Sequence, residues 1–329
     1  MAPSTRKSAR NKTLDLSEEE GDVYFKNCID LSTGAQNLNS EALLVNQIKN
    51  KTICGNTFEL MEKLPRSFVD LAVIDPPYNL SKTYSGKKFN QTSREEYALY
   101  TKDWLLKLLP LLKENASFYI CCDWKSSMTI AQGLADFEEE KRLIIRNRIT
   151  WQREKGRGAV SNWKNSMEDI WFCTVSENYT FNLDAVKQRR RVIAPYKQDG
   201  KPKDWQETES GNWRDTCPGN FWDDISIPFW SMSENTAHPT QKPEKLIAKL
   251  ILASSNKGDM IFDPFCGSGT TSVTAKKLDR LWCGIEQSRQ YCSWAEKRLL
   301  DAEKDKSIQG YEDGVFWERN TNGKQKHID

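Results

Sequence analysis

Ile261-Phe262-Asp263-Pro264-Phe265-Cys266-Gly267-Ser268-Gly269-Thr270 is the stretch on which the fold turns. Met260 to Phe262 reads as a strand, the glycines as a tight turn, and Thr271 to Leu278 has helical spacing. Glycines let backbone approach a ligand closely, and the helix that follows offers free N–H groups at its start. Leu281 to Ile285 reads as the next strand, with Glu286 at its end. A carboxylate placed there can accept hydrogen bonds from ribose hydroxyls, the arrangement of nucleotide-binding α/β folds. No Gly-Lys-Ser/Thr follows the glycines, which disfavours a phosphate-cradling NTPase loop. Cys266 has no histidine near it in sequence and reads as a wall residue rather than a nucleophile.

Outward from this stretch the same alternation continues. Pro243 suits the first turn of a helix carrying Leu246, Ile247, Leu250 and Ile251 on one face, with Gly258 past its end. Lys51–Cys54, Val69–Ile74, Ser117–Cys122, Ile144–Trp151 and Asp169–Val175 read as strands, and Tyr97–Leu112 as a helix. Strands and helices alternating in this way predict a largely parallel α/β sheet. Periodicity is lost between 176 and 236, residues 1–22 read as a disordered tail, and the charged stretch from 301 reads as peripheral.

Asp75-Pro76-Pro77-Tyr78 directly follows the Val69–Ile74 strand. Two prolines remove N–H donors and leave carbonyls that can only accept. A carboxylate beside an unpaired carbonyl forms an acceptor pair for an amino group with two hydrogens, and the tyrosine ring can stack on a planar base. An ordinary turn after a strand would use the same residue types.

Composition narrows the function classes. The 329 residues include 38% hydrophobic and 29% charged side chains, with no apolar run near the roughly 20 residues that span a bilayer. Met1 to Lys12 is Ser-rich and basic without an apolar h-region, which reads against a secretory signal. Nine cysteines without a CxxC pair, and two histidines, argue against a metal site and for reduced thiols in a cytoplasmic protein. The net charge of +2 conceals an uneven distribution. Residues 141–214 hold 16 Lys/Arg against 9 Asp/Glu, and seven of the twelve tryptophans lie between 151 and 230. Cations interleaved with aromatics suit a nucleic-acid surface, although a solvated basic face over a Trp-containing core would have the same composition.

With these stretches quoted, the sequence resembles the S-adenosylmethionine-dependent amino-methyltransferases of DNA, which act on adenine N6 or cytosine N4. Asp75-Pro76-Pro77-Tyr78 is similar to their catalytic tetrapeptide, and Phe265-Cys266-Gly267-Ser268-Gly269 to their cofactor loop. His238-Pro239-Thr240-Gln241-Lys242-Pro243 is similar to the segment just upstream of that loop, which touches the methionine part of the cofactor. The tetrapeptide preceding the loop resembles the order of the β group. The resemblance covers roughly residues 51 to 300.

It implies a doubly wound, mostly parallel, seven-stranded Rossmann-like methyltransferase sheet, circularly permuted, with a central target-recognition insert. The expected divisions are an N-terminal extension (1–48), a catalytic half (49–175), the target-recognition region (176–236), a cofactor-binding half (237–300) and a C-terminal extension (301–329). Asp75, Pro76, Pro77 and Tyr78 are the expected catalytic group. Expected contacts to S-adenosyl-L-methionine are Asn56, Asp75, His238, Thr240, Lys242, Asp263, Phe265, Cys266, Gly267, Ser268, Gly269, Thr270 and Glu286. Asn56 stands where the family usually has an acidic residue. Its amide oxygen can still accept from the adenine amine.

Arg189, Arg190, Arg191 and Lys197 are candidate contacts to double-stranded DNA, and the cationic loop 153–158 is a second candidate clamp. The initial Asp of the tetrapeptide accompanies adenine-N6 in the family, with cytosine-N4 as the alternative. The resemblance also implies a restriction–modification setting with a cognate endonuclease, and dimers occur in the β group. An NAD-dependent oxidoreductase would leave the tetrapeptide and the basic insert unused. A non-catalytic DNA-binding module would leave the cofactor loop unused. An RNA or protein methyltransferase is closer, since similar tetrapeptides handle other planar amines.

Overall fold

In β3 (Val69–Ile74), Ala72 and Ile74 enter one apolar cluster while Leu71 and Val73 enter another, so alternate side chains face opposite sides of a sheet covered on both. The computed structural model describes residues 8–33, 43–84, 87–153, 160–192, 196–208 and 211–318. Two strands beside β3 divide in the same way. In β6 (Leu112–Asp123), Phe118 and Ile120 join the first cluster and Tyr119 and Cys121 the second; in β15 (Met260–Asp263), Phe262 joins the first and Ile261 the second.

Among the described residues the central sheet has nine strands. Its order is β1 (Ile29–Asp30), β2 (Lys51–Cys54), β16 (Leu281–Glu286), β15, β3, β6, β8 (Met167–Thr174), β7 (Ile144–Gln152) and β14 (Phe221–Trp222). All neighbours are parallel except that β8 runs antiparallel to both β6 and β7. The seven expected strands are extended by two-residue strands, β1 and β14, at the two edges.

Helices α2 (Val45–Ile48), α3 (Thr57–Met61), α4 (Arg94–Leu108) and α5 (Trp124–Glu139) supply the first cluster with side chains such as Ile48, Leu60, Trp104 and Leu134. Helices α6 (Glu244–Ser254), α7 (Thr270–Lys277) and α8 (Arg289–Lys304) supply the second with Leu246, Val273 and Leu299 among others. The sheet is doubly wound. No helix of the described residues is long and apolar enough to cross a membrane.

Two segments depart from the sequence expectation. The aperiodic region 176–236 and the C-terminal stretch build one second sheet, in the order β12 (Gln206–Thr208), β13 (Gly211–Thr216), β9 (Gln188–Arg191), β18 (Val315–Trp317) and β17 (Tyr311–Glu312). The C-terminal strands are therefore structural partners of the insert rather than peripheral. Phe316 of β18 packs with Val186, Ala248 and Leu252, so α6 is held between the two sheets and every one of its residues is buried. Its three buried charged residues are paired accordingly, Lys245 and Lys249 with Asp224 and Glu244 with Arg298 and Lys277. Pro243 is its N-cap, one residue before the first turn. Two hairpins, β4 (Lys82–Tyr84) with β5 (Lys87–Phe89) and β10 (Lys197–Gln198) with β11 (Lys201–Pro202), complete the described strands.

The second departure lies at the N-terminus. Residues 18–22, which the sequence reading placed in a disordered tail, belong to α1 (Glu18–Phe25). Ser17 and Glu20 form a reciprocal capping box, and three glutamates in the first turn complement the helix dipole. Arg289 of α8 pairs with Asp22 at 2.9 Å and lies over the Phe25 ring. Leu14 pairs with Thr236 in a parallel bridge, so the chain start also lies against the segment leading to His238.

Candidate active site

Residues that sequence reasoning chose from four separate stretches line one cavity at the carboxyl ends of the parallel strands. Asn56 follows β2, Asp75 to Tyr78 follow β3, Asp263 to Thr270 follow β15, and Glu286 ends β16. His238, Thr240 and Lys242 line the same cavity from the loop before α6. Ligands of doubly wound sheets bind outside these strand ends. Of the expected cofactor contacts, Gly269 alone stands behind the wall, at the N-cap of α7.

The glycine loop is built for close approach. Gly267 and Gly269 have φ of +50° and +81°. A Cβ on Gly269 would lie 2.5 Å from the Ala295 Cβ, and one on Gly267 would lie 3.1 Å from His238 Nε2. His238 in turn meets the Tyr291 ring at 4.5 Å, and its Nδ1 accepts from the Thr240 N–H. The Glu286 carboxylate accepts the N–H of Gly267 at 3.0 Å and that of Ser288 at 2.8 Å, which fixes it at the mouth of the loop. Phe265 donates its N–H to Asp263, whose carboxyl is pushed up to about 7 by burial. Burial pushes the Cys266 thiol up, in keeping with a wall residue.

A brace that sequence reasoning did not find lies beneath this loop. Arg298 of α8 donates to the Ser268 carbonyl and to Thr270 Oγ1, and its other nitrogen pairs with Glu244 at 3.0 Å. Glu244 also binds Lys277 at 2.7 Å and gives its N–H to Glu234, whose carboxyl burial pushes up to about 7. α6, α7 and α8 are thus tied together by paired buried charges. Asn56 caps α3, accepting the Phe58 N–H at 2.9 Å, and lines the cavity; its carbonyl oxygen keeps a second lone pair. Thr57 donates to the Pro264 carbonyl and joins the β2 and β15 loops.

Lys242 is placed differently from expectation. Its ammonium lies 2.8 Å from both oxygens of Asp75, 3.0 Å from the Tyr78 hydroxyl and 3.3 Å from Glu168, with 7% of its side chain exposed. It therefore belongs to the tetrapeptide's carboxylate as much as to the cofactor wall. Burial alone would lower its pKa, but Asp75 and Glu168 raise it well above the ordinary lysine value.

The Tyr78 hydroxyl lies 2.9 Å from Asp75 and 3.1 Å from Glu168. The second Glu168 oxygen pairs with Arg153 at 2.5 Å. Burial raises the pKa of Glu168, but Lys242 and Arg153 outweigh it and hold the carboxyl below its usual range. Glu168 had no motif to announce it. It reaches the site because β8 runs against its neighbours, so its start lies beside the end of β6, where Glu168 pairs with Asp123. Among the described residues, the Pro76 carbonyl has no hydrogen-bond partner, whereas that of Pro77 accepts from the Tyr97 hydroxyl.

The basic region divides. Arg189 is held by Asp215 through two bonds of 2.8 and 2.7 Å and lies against Trp317, a structural placement. Arg190, Arg191 and Lys197 are exposed, Arg190 with a 3.8 Å approach to Glu318. Of the seven tryptophans between 151 and 230, three are core residues rather than stacking surfaces. Trp151, Trp205 and Trp222 are buried and donate to backbone carbonyls, while Trp163 and Trp230 are exposed. Of the loop 153–158, only Arg153 lies within the described residues.

Residues 69–297 match the family described as DNA methylase. The chain belongs to this family. It is a DNA methyltransferase of the N6-adenine/N4-cytosine kind. The methyltransferase is 30% identical over 250 residues to Type II methyltransferase M.HpaI of Haemophilus parainfluenzae, covering 76% of this chain and 74% of the relative. It is 32% identical over 259 residues to Type II methyltransferase M1.MboII of Moraxella bovis, covering 75% and 95%. It is also 32% identical over 262 residues to DNA adenine methyltransferase YhdJ of Escherichia coli K12, covering 76% and 82%. The fold is shared with the structure of PvuII DNA methyltransferase (cytosine-N4-specific), at a TM-score of 0.55 and 17% identity over 77% of this chain and 91% of that one.

Proposed function

We propose that the enzyme transfers a methyl group to the N6 amine of adenine at specific sites in double-stranded DNA, as the modification partner of a restriction endonuclease. The observation that carries this reading is the acceptor pair at the end of β3. The Asp75 carboxylate and the free Pro76 carbonyl stand beside the glycine loop of the adjacent strand β15. Two of the relatives are Type II methyltransferases and a third is a DNA adenine methyltransferase, which supports both the setting and the base. The tetrapeptide's position before the loop supports assignment to the β group.

The cavity fits S-adenosyl-L-methionine. Gly267 lines it where a Cβ would crowd His238, Glu286 offers acceptors for ribose hydroxyls, and Asn56 and Phe58 form the wall where an adenine would lie. When bound, the cofactor supplies an electrophilic methyl group on a sulfonium. His238, Thr240 and Asp263 line the same cavity as Asp75 and Lys242 and would hold the methionine portion.

An exocyclic amine is a poor nucleophile because its lone pair is delocalised into the ring. Asp75 and the Pro76 carbonyl accept its two hydrogens and favour a pyramidal nitrogen with its lone pair free. The amine is inaccessible within a duplex, so the base is flipped into the cavity, where the Tyr78 ring provides a stacking face. Alignment by these fixed groups contributes much of the remaining acceleration. The second sheet and the β10–β11 hairpin, with Arg190, Arg191 and Lys197 exposed, would lie along the DNA. Methylated DNA digested to nucleosides and analysed by mass spectrometry tests the base: N6-methyladenosine is expected, and N4-methylcytidine would overturn the choice.

A further inference from the structure

The carboxylate that must receive the base is already engaged. Lys242 bridges both Asp75 oxygens at 2.8 Å, and the Tyr78 hydroxyl adds a third contact to one of them at 2.9 Å. An amine hydrogen arriving at Asp75 meets a competing ammonium, and the nitrogen gains positive charge as it is methylated. A cation held on the same carboxylate opposes both events.

Glu168 offers an alternative partner to each of the two donors. Its Oε2 lies 3.3 Å from Lys242 Nζ and 3.1 Å from the Tyr78 hydroxyl, while Arg153 holds its Oε1. It is 4% exposed and lies where water gives Lys242 little alternative. The four charges, Asp75, Glu168, Lys242 and Arg153, balance, so moving Lys242 from one carboxylate to the other brings no net charge into the buried cluster. Tyr78 has one hydroxyl proton for two carboxylates, and it can turn from Asp75 to Glu168 in the same rearrangement.

We propose that Glu168 is a positioning residue that takes Lys242 and the Tyr78 hydroxyl from Asp75 when the target base enters, freeing Asp75 to accept the amine. This rests on the reading of Asp75 as the amine acceptor. Glu168 does not touch the base. It sets which carboxylate holds the lysine.

The test is a double-mutant cycle on the full-length enzyme, with single-turnover methyl transfer to DNA and separate affinities for S-adenosylhomocysteine and DNA. Methyl transfer by the wild type is measured first, and its absence on any DNA overturns the reading of the site itself. With wild-type transfer in hand, Glu168→Gln is expected to slow the methyl-transfer step by about tenfold or more while both affinities change by less than about threefold. Glu168→Asp, which keeps the charge, should recover most of that loss.

In the Lys242→Met background only the Tyr78 hydroxyl remains to be moved, so adding Glu168→Gln should cost less than about threefold. That last comparison stands even where Glu168→Gln alone does not fold. Four outcomes would overturn the handover: a wild-type rate for Glu168→Gln, loss of cofactor affinity in step with rate, no recovery by Glu168→Asp, or an equal cost of Glu168→Gln with and without Lys242.

Discussion

Phe262 is the parallel register partner of Ala72, and Ile261 that of Leu71. This pairing brings Asp263 and Asp75, far apart in sequence, out of the sheet at one edge, where the glycine loop and the tetrapeptide share a cavity. Chain order is immaterial to that meeting. Strand adjacency and common direction are what it needs.

Gly269 is the position where the loop tolerates least. An alanine there would combine φ of +81° with a Cβ 2.5 Å from that of Ala295. Overpacking and left-handed backbone together cost about 2–4 kcal/mol. Gly269→Ala should lower the melting temperature and, by displacing the loop from Glu286, remove most of the stabilisation given by S-adenosylhomocysteine. Thermal melts with and without that ligand check both.

Asp263 makes stability depend on pH in a defined direction. Its folded pKa is raised from 3.8 to about 7. Between those values the folded protein holds a proton that the unfolded chain releases, so stability is fullest below the window and falls as pH rises through it. Asp263→Asn should flatten this fall without abolishing it, since Glu234 is also raised to about 7. Urea titrations at pH 5 and pH 8 measure the difference, and an unchanged slope would contradict it.

The brace beneath the loop should be costly to break. Arg298→Met leaves Glu244 buried with Lys277 as its remaining cationic partner. Removing one partner of a buried pair costs about 3–5 kcal/mol, and retention of Lys277 puts the expectation near the lower end. Equilibrium unfolding in urea reads this directly.

The second sheet and the β10–β11 hairpin allow their cations to be sorted. Arg191→Ala and Lys197→Ala should each weaken DNA binding and reduce the salt slope by about 1. Arg189→Ala, which removes the partner of Asp215, should lower stability with little change of slope. Binding measured across a salt series, alongside melting curves, distinguishes the two classes.

Much of this was legible in the sequence because the site is made from turns with strong local requirements. Pro76 and Pro77 strip donors, Gly267 and Gly269 adopt positive φ, and Glu286 ends an apolar strand; each leaves a mark within a few residues. Glu168 leaves none, because its placement depends on the antiparallel course of β8, a property of the pairing partners. Arg298 and Glu244 are likewise ordinary charged residues on amphipathic helices until α6 is seen between two sheets. The tryptophans misled for a related reason: an indole that stacks on a base and one buried with its N–H on a carbonyl have the same composition. β17 and β18 were missed because they are two and three residues long, and β18 joins them to β9, far away in sequence.

Methyl transfer by Asp75→Ala is the most direct measurement, made in single turnover with labelled S-adenosylmethionine and a DNA substrate that the wild type modifies. If Asp75 accepts the amine hydrogens, the rate should fall by about 10²–10³-fold or more, while affinities for S-adenosylhomocysteine and DNA stay within about threefold of wild type. A variant that binds both ligands and still transfers methyl within about tenfold of the wild-type rate would contradict that role.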